Sequence, residues 1–355
     1  MKKRLVFLYS SLNGFVVSTL RALHATGRCQ AIDIIHWDKR KTAGNSFQSE
    51  KNSFANFFGR SQFDEASLFS FLKEKNPDII YISGWMDRGY LAALRRYRSI
   101  NGNNTTVCGI DDQWRGSFRQ WLGRYYYRVQ YRNLFDRIWA AGAPQYHFAR
   151  QLGYRDHEIL FNLLSADTKI FKPTPSTNRR FVYVGRLEQE KGPDILVSAY
   201  RKLSDETRRS WMLHIIGDGS LRSEIENNLP KGATLLSYLQ PEALSHELAK
   251  GGVGCQPSRF EQWGVSIHEL ALLGYPLIVS TSCGAASEFV IDGFNGFYFQ
   301  NESVAALLSA MEKCIELNDA ELRRFSEASK SLGARISPDM CAYSFLSADA
   351  AWRCQ

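Results

Sequence analysis

Short apolar runs alternate with amphipathic helical patterns along almost the whole chain, and that rhythm admits few folds. The strands read as Leu5–Tyr9, Ile32–His36, Asp78–Ile82, Thr106–Ile110 and Arg137–Ala140, with helical patterns such as Phe15–Ala25, Glu65–Lys75 and Tyr90–Tyr97 between them. Such alternation marks βαβ units and a mainly parallel sheet. The rhythm breaks at Lys172-Pro173-Thr174-Pro175-Ser176-Thr177-Asn178, a composition suited to an interdomain linker. It restarts with Phe181–Val184, Trp211–Ile216, Thr234–Ser237, Gly252–Gln256 and Pro276–Ser280. The fold class expected is therefore α/β, with two doubly wound Rossmann-like domains over 1–172 and 176–339. Residues 340–355 could return to the first domain. A doubly wound sheet binds its ligand outside the carboxyl ends of its strands, so the crevice between two such domains is the expected site.

A length of 355 residues exceeds what one core usually supports, which agrees with two domains. With 44% hydrophobic and 23% charged residues the chain lacks the signature of disorder, and no apolar stretch reaches the roughly 18 residues that span a bilayer. The start, Met1-Lys-Lys-Arg-Leu-Val-Phe-Leu-Tyr-Ser10, resembles a signal peptide, yet no small-residue cleavage site follows, so it reads as a core strand. Seven scattered cysteines with no CxxC pair argue against a disulfide framework or zinc site and suit a reducing cytosol. The net charge of +8 is uneven: residues 1–175 hold 26 Lys/Arg against 14 Asp/Glu, and residues 176–355 hold 18 against 22.

The second half carries the chemistry. After the strand ending at Val184 come Gly185-Arg186-Leu187-Glu188-Gln189-Glu190-Lys191-Gly192, two cations across one loop, able to grip a polyphosphate as a fork and a point charge. A solvated loop is the alternative for those cations. Gly217-Asp218-Gly219 forms a second glycine-rich turn at a strand end. A third loop carries Glu261, and Gly264 opens a helix containing Glu269 that stops at Gly274 before Pro276. The amides around Gly264–Ser266 make a helix N-terminus, a ready phosphate site. Two carboxylates held at different depths along one ligand are natural acceptors for vicinal hydroxyls.

These residues, Gly185-Arg186-Leu187 with Lys191-Gly192, Gly217-Asp218-Gly219 and the Glu-x7-Glu pair at 261 and 269, resemble the retaining glycosyltransferases of family 4. Gly284 with Glu288, Asp292–Phe297, and Asn162–Asp167 with Phe171–Pro173 extend the resemblance over about residues 160–300. It implies the GT-B fold, two Rossmann-like domains facing each other across a central crevice, acceptor-binding first and donor-binding second. It implies that Arg186 and Lys191 hold a donor diphosphate, Glu269 the ribose and Glu261 the donor sugar. Gly217 and the amides near Gly264 and Val265 would complete the donor site. It further implies a UDP- or GDP-linked donor, no metal or other cofactor, and a hexosyl or N-acetylhexosaminyl transferase that retains configuration.

The first half matches only in fold and strand order. Asn13 and Gly14, in the loop after the first strand, are acceptor-side candidates, with helix capping as the alternative. Asp111 and Asp112 stand where many relatives place a histidine; they are candidates for sugar or acceptor contact, again with a helix N-cap as the alternative. Ser83–Asp87 could line an acceptor pocket. Trp114–Arg132 contains five arginines and no acid. On a helix, Phe118, Trp121, Leu122, Tyr125 and Val129 make an apolar stripe bordered by Arg119, Arg124 and Arg128, which suits an anionic membrane. An anionic acceptor is the other contact it suits; part of the stripe is expected to pack on the sheet, so a core helix with a basic outer face is the rival. No nucleic-acid-binding module accompanies the stretch. The expected protein is a cytoplasmic glycosyltransferase at the inner face of the cell membrane, adding a sugar to a glycan or lipid-linked acceptor in bacterial surface polysaccharide assembly. A catalytically silent glycan- or lipid-binding subunit, and a same-fold epimerase or phosphorylase, are the rivals.

Overall fold

The structure, a computed structural model, describes residues 2–38, 53–173 and 178–349. Part of the expected linker, 174–177, lies outside the described residues, as do 350–355 of the expected return and Cys354. The chain divides into two compact units, one running to Ser165 and resuming at Ser337, the other Ala166–Ile336.

The first unit holds β1 (Lys3–Tyr9), α1 (Gly14–Ala25), β2 (Cys29–His36), β3 (Asn56–Gly59), α2 (Glu65–Lys75), β4 (Ile79–Ile82), α3 (Arg88–Arg98), β5 (Thr105–Ile110), α4 (Phe118–Gln130), β6 (Arg137–Ala140), α5 (Ala143–Gln151) and β7 (Ile159–Leu160). Its parallel sheet runs β3-β2-β1-β4-β5-β6-β7. Strands covered on both faces need continuous apolar runs, which is why Leu5–Tyr9 and Ile79–Ile82 are buried throughout.

The second unit holds β8 (Arg180–Val184), α6 (Pro193–Arg201), α7 (Asp205–Ser210), β9 (Met212–Ile216), α8 (Arg222–Asn227), β10 (Ala233–Leu236), α9 (Pro241–Leu248), β11 (Val253–Gln256), α10 (Val265–Leu273), β12 (Leu277–Ser280), α11 (Ala286–Phe289), β13 (Gly296–Phe299), α12 (Val304–Glu316) and α13 (Asp319–Gly333). Its sheet is also parallel, ordered β10-β9-β8-β11-β12-β13. The last helix, α14 (Pro338–Leu346), belongs to the first unit, where Phe345 packs against Phe7 and Trp139 at 4.9 and 5.0 Å. Two parallel α/β units bear out the expected fold class. In each sheet the strand order reverses at one point, between β1 and β4 and between β8 and β11, and the adjoining loops are where such sheets bind ligands.

Candidate donor site

Three loops converge at the carboxyl ends of β8, β9 and β11. Gly185 N donates to Ile216 O at 3.1 Å, Leu187 N to Asp218 O at 2.9 Å, and Leu221 N to Leu187 O at 2.8 Å. The loops after β8 and β9 are thus laced main chain to main chain. A Cβ on Gly217 would lie 1.9 Å from the Gly185 carbonyl oxygen, so only glycine permits this approach. Asp218 is committed locally, accepting from Tyr238 N at 2.7 Å and pairing with Arg222 at 2.6 Å.

The loop after β11 is tied down on both sides. Arg259 makes a two-armed contact with Asp194 of α6 at 2.8 and 2.6 Å, and Phe260 N donates to Glu190 O at 3.2 Å. Gly284 N donates to Glu261 O at 3.1 Å, and Ala285 N to Trp263 O at 2.8 Å. Glu261 is therefore delivered to the loop after β8, where Lys191 Nζ donates to its Oε2 at 2.6 Å. Each of these side chains is only 15% exposed, a burial two opposite charges tolerate only as a pair. Arg186, by contrast, is an exposed partner of Glu190 at 2.5 Å.

Gly264, at φ 95°, turns the chain into α10, and no side chain caps that helix. Its first-turn amides thus carry the positive end of the helix dipole without a capping acceptor. Further along, Glu269 is half-buried, and among the described residues no donor reaches its carboxylate. Burial alone pushes its pKa up to about 7. Beside it in sequence, His268 is fully buried: its Nδ1 accepts from Ala166 N at 3.0 Å and its Nε2 donates to Gly333 O at 2.9 Å. Burial pushes that imidazole down to about 4, so it stays neutral and holds α10 to the segment entering the unit and to the end of α13. The indole N–H of Trp263 is buried with no acceptor among the described residues.

Thus Arg186, Lys191, Gly217, Glu261 and Gly264 lie on connected loops of the second unit, and Val265 and Glu269 lie on the helix α10 that follows them. His268 and Arg259 escaped the sequence reading. Each works through a partner remote in the chain, and no local pattern announces either.

Chains of known structure share this fold. HepE from Anabaena, solved with UDP and glucose, is 16% identical, with a TM-score of 0.73 over 97% of this chain and 98% of that one. A glycosyltransferase from Rickettsia africae is 14% identical, with a TM-score of 0.75 over 97% of each chain. The fold is GT-B. Within this GT-B chain, residues 166–332 match the family model for glycosyl transferases group 1, nearly the whole second unit. An uncharacterized glycosyltransferase from Methanocaldococcus jannaschii is 30% identical over 166 residues, 45% of this chain and 44% of that protein. The alpha-D-kanosaminyltransferase of Streptomyces kanamyceticus is 28% identical over 43% of this chain and 40% of its own. These matches span less than half the length of the curated relatives.

The acceptor-side candidates of this GT-B chain occupy the first unit. Asn13 stands at the N-cap position of α1, but its side chain makes no capping bond, and Gly14 begins the helix. Asp111 is exposed; Asp112 is half-buried and accepts from Gln113 N at 2.9 Å. Neither caps α4, because Ser117 does, accepting from Gln120 N at 3.3 Å. Asp87 is used structurally, capping α3 and accepting from Trp37 at 2.7 Å and Arg60 at 2.9 Å.

The expectation that the stripe on α4 packs partly on the sheet is overturned. Phe118, Trp121, Leu122, Tyr125 and Val129 are all exposed, by 44 to 79%. The buried residue of α4 is Tyr127, whose hydroxyl lies 2.9 Å from that of Tyr154 and whose ring packs on Trp85 at 4.8 Å. Nine residues is about two and a half turns, so Tyr127 points away from Phe118 and fixes the stripe outward. Arg124 is no free headgroup ligand either. It bonds Gln151 at 2.9 Å and lies 3.8 Å over the Trp121 ring.

Proposed function

We propose that this chain is a retaining glycosyltransferase that moves a hexosyl or N-acetylhexosaminyl group from a UDP- or GDP-linked donor to a hydroxyl of a glycan or lipid-linked acceptor. The observation carrying the reading is the Lys191–Glu261 pair set at the switch point of the second sheet, on the loop that leads into the uncapped start of α10. A diphosphate would take Lys191 from Glu261, sit on the amides near Gly264 and Val265, and free the Glu261 carboxylate for sugar hydroxyls. Glu269, unpaired, would accept the two ribose hydroxyls.

As the sugar–phosphate bond breaks, negative charge grows on the leaving nucleoside diphosphate. Lys191, Arg186 and the dipole of α10 would stabilise it, a contribution of the oxyanion-hole kind. On this reading those charges would take the place of a divalent cation, so a chelator should leave turnover unchanged. The acceptor would be deprotonated by the leaving phosphate on the same face, with Asn13, Gly14, Asp111 and Asp112 as acceptor-side candidates. Family 4 membership and a role in bacterial surface polysaccharide assembly at an anionic cytoplasmic membrane face belong to the same proposal. Among the described residues no helix is long and apolar enough to cross a membrane.

A thermal-shift panel of nucleotide sugars, followed by donor hydrolysis and NMR of the product anomer, tests the reading. A donor that stabilises the protein and yields product of the donor's own configuration is expected. An inverted product removes the retaining assignment.

A further inference from the structure

The first unit displays a helix whose apolar side chains face water. Along α4, Phe118, Leu122, Tyr125 and Val129 recur at spacings of four, three and four and form one line, with Trp121 beside it. Five neighbouring large apolar side chains left exposed mark a surface that meets something. At 13 residues, α4 presents a strip roughly 20 Å long.

The flanks say what it meets. At about 100° per residue, Arg119 falls near a right angle to the line on one side and Arg128 near a right angle on the other. Both are exposed, and neither has an ion-pair partner among the described residues. No acid occurs anywhere in 113–132. Arg124 braces the strip instead, its guanidinium 3.8, 5.1 and 5.9 Å over Trp121, Tyr125 and Trp114. An apolar line with cations along both edges, at the level where a half-sunk helix meets phosphates, is the pattern of an interfacial helix on an anionic bilayer. A protein groove would cover the line but has no need of unpaired arginines on both shoulders.

We propose that α4 lies flat on an anionic lipid surface, with Phe118, Leu122, Tyr125 and Val129 sunk to the acyl boundary and Arg119 and Arg128 at headgroup phosphates. This rests on the lipid-linked acceptor reading above and names the surface that would bring the enzyme to it.

Cosedimentation with phosphatidylglycerol–phosphatidylcholine vesicles, against pure phosphatidylcholine, tests it on the full chain. Wild type should pellet with the mixed vesicles only, and Trp121 emission should shift to the blue. Arg119→Ala with Arg128→Ala should weaken binding about thirtyfold, and added salt should erase that difference. Leu122→Asp with Val129→Asp should weaken it about a hundredfold, with unchanged thermal unfolding because both side chains are exposed. Absent vesicle binding, equal binding by all three proteins, or a dimer of wild type that the Asp pair dissolves would each overturn the proposal. Hydrolysis of the nucleotide-sugar in solution separates the two readings. Its presence without vesicle binding removes the α4 surface alone; vesicle binding without it leaves the surface standing and removes the transferase reading.

Discussion

The two sheets of this chain reverse strand order at equivalent points, and their ends there are built differently. In the first unit the ends of β1 and β4 are joined by side chains as well as main chain: Ser83 N donates to Leu8 O at 3.0 Å, Ser10 N donates to the Ser83 hydroxyl at 2.8 Å, and the two hydroxyls lie 3.3 Å apart. A Cβ added to Gly14 there would meet nothing within 4 Å. In the second unit the side chains of Lys191 and Glu261 join the loops at that point, and beside it the loops after β8 and β9 touch main chain to main chain, where a Cβ on Gly217 would collide with the Gly185 carbonyl. Glycine at that contact lets two loops be fixed backbone to backbone with no side chain between them. One fold therefore yields a backbone-laced cradle beside one switch point and open space around Gly14 at the other.

Gly217→Ala tests that contrast most severely. The clash is with backbone, which cannot swing aside, so the second unit should lose about 3–5 kcal/mol and donor hydrolysis should vanish. Denaturant unfolding reads the first effect. If Gly217→Ala unfolds like wild type, the claim that backbone contact builds this cradle is wrong.

Within the cradle, the two cations should rank unequally. Lys191 is sheltered and fixed by Glu261, whereas the Arg186 side chain is 64% exposed. Lys191→Ala should lower kcat/KM for donor hydrolysis by about 10²–10³-fold. Arg186→Ala should lower it about tenfold. Equal losses would show that shelter does not decide which cation matters.

Glu269 gives the contrast a pH axis. Its carboxyl is raised from 4.5 to about 7 by burial, so the folded state holds a proton that the unfolded state releases earlier. As pH climbs from about 4.5 through about 7 this carboxyl should subtract on the order of 2 kcal/mol from stability, opposing the gain from His268, whose imidazole is pushed down to about 4, so Glu269→Gln should make stability rise more steeply with pH than in wild type. On the proposed role of Glu269, affinity for UDP should instead rise through about pH 7, because the ionised carboxylate would accept both ribose hydroxyls. Urea titrations and calorimetry on the same two proteins separate these opposite trends.

What the sequence revealed follows the same division. The second unit was legible because its constraints are local: a glycine after each of β8 and β9, cations five residues apart on one loop, and glutamates spaced on either side of one helix start. Where a constraint runs between distant residues it stayed hidden. Arg259 finds Asp194 on another helix, and His268 finds Ala166 and Gly333. The short edge strands β3, β7 and β13 gave too few residues for a period to show. On α4 the period was correct, and what failed was the expected packing of part of its stripe on the sheet. Amphipathicity does not say which face turns inward, and the single buried Tyr127 outweighs the longer apolar line opposite.

The smallest expected effect completes the comparison at the first switch point. Gly14 begins α1 with open space around it and no left-handed backbone, so alanine there meets no obstacle and gains helix propensity. Gly14→Ala should leave thermal stability unchanged or raise it by up to about 1 kcal/mol, mostly by restricting the unfolded chain. Donor hydrolysis should not change, since this loop belongs to the other unit. Transfer to acceptor is the sensitive readout: a loop that adapts around an acceptor should slow when stiffened, and one that merely starts a helix should not. A drop in transfer with hydrolysis intact would sharpen the assignment of Asn13 and Gly14 to the acceptor side, whereas unchanged transfer would reduce them to the start of α1.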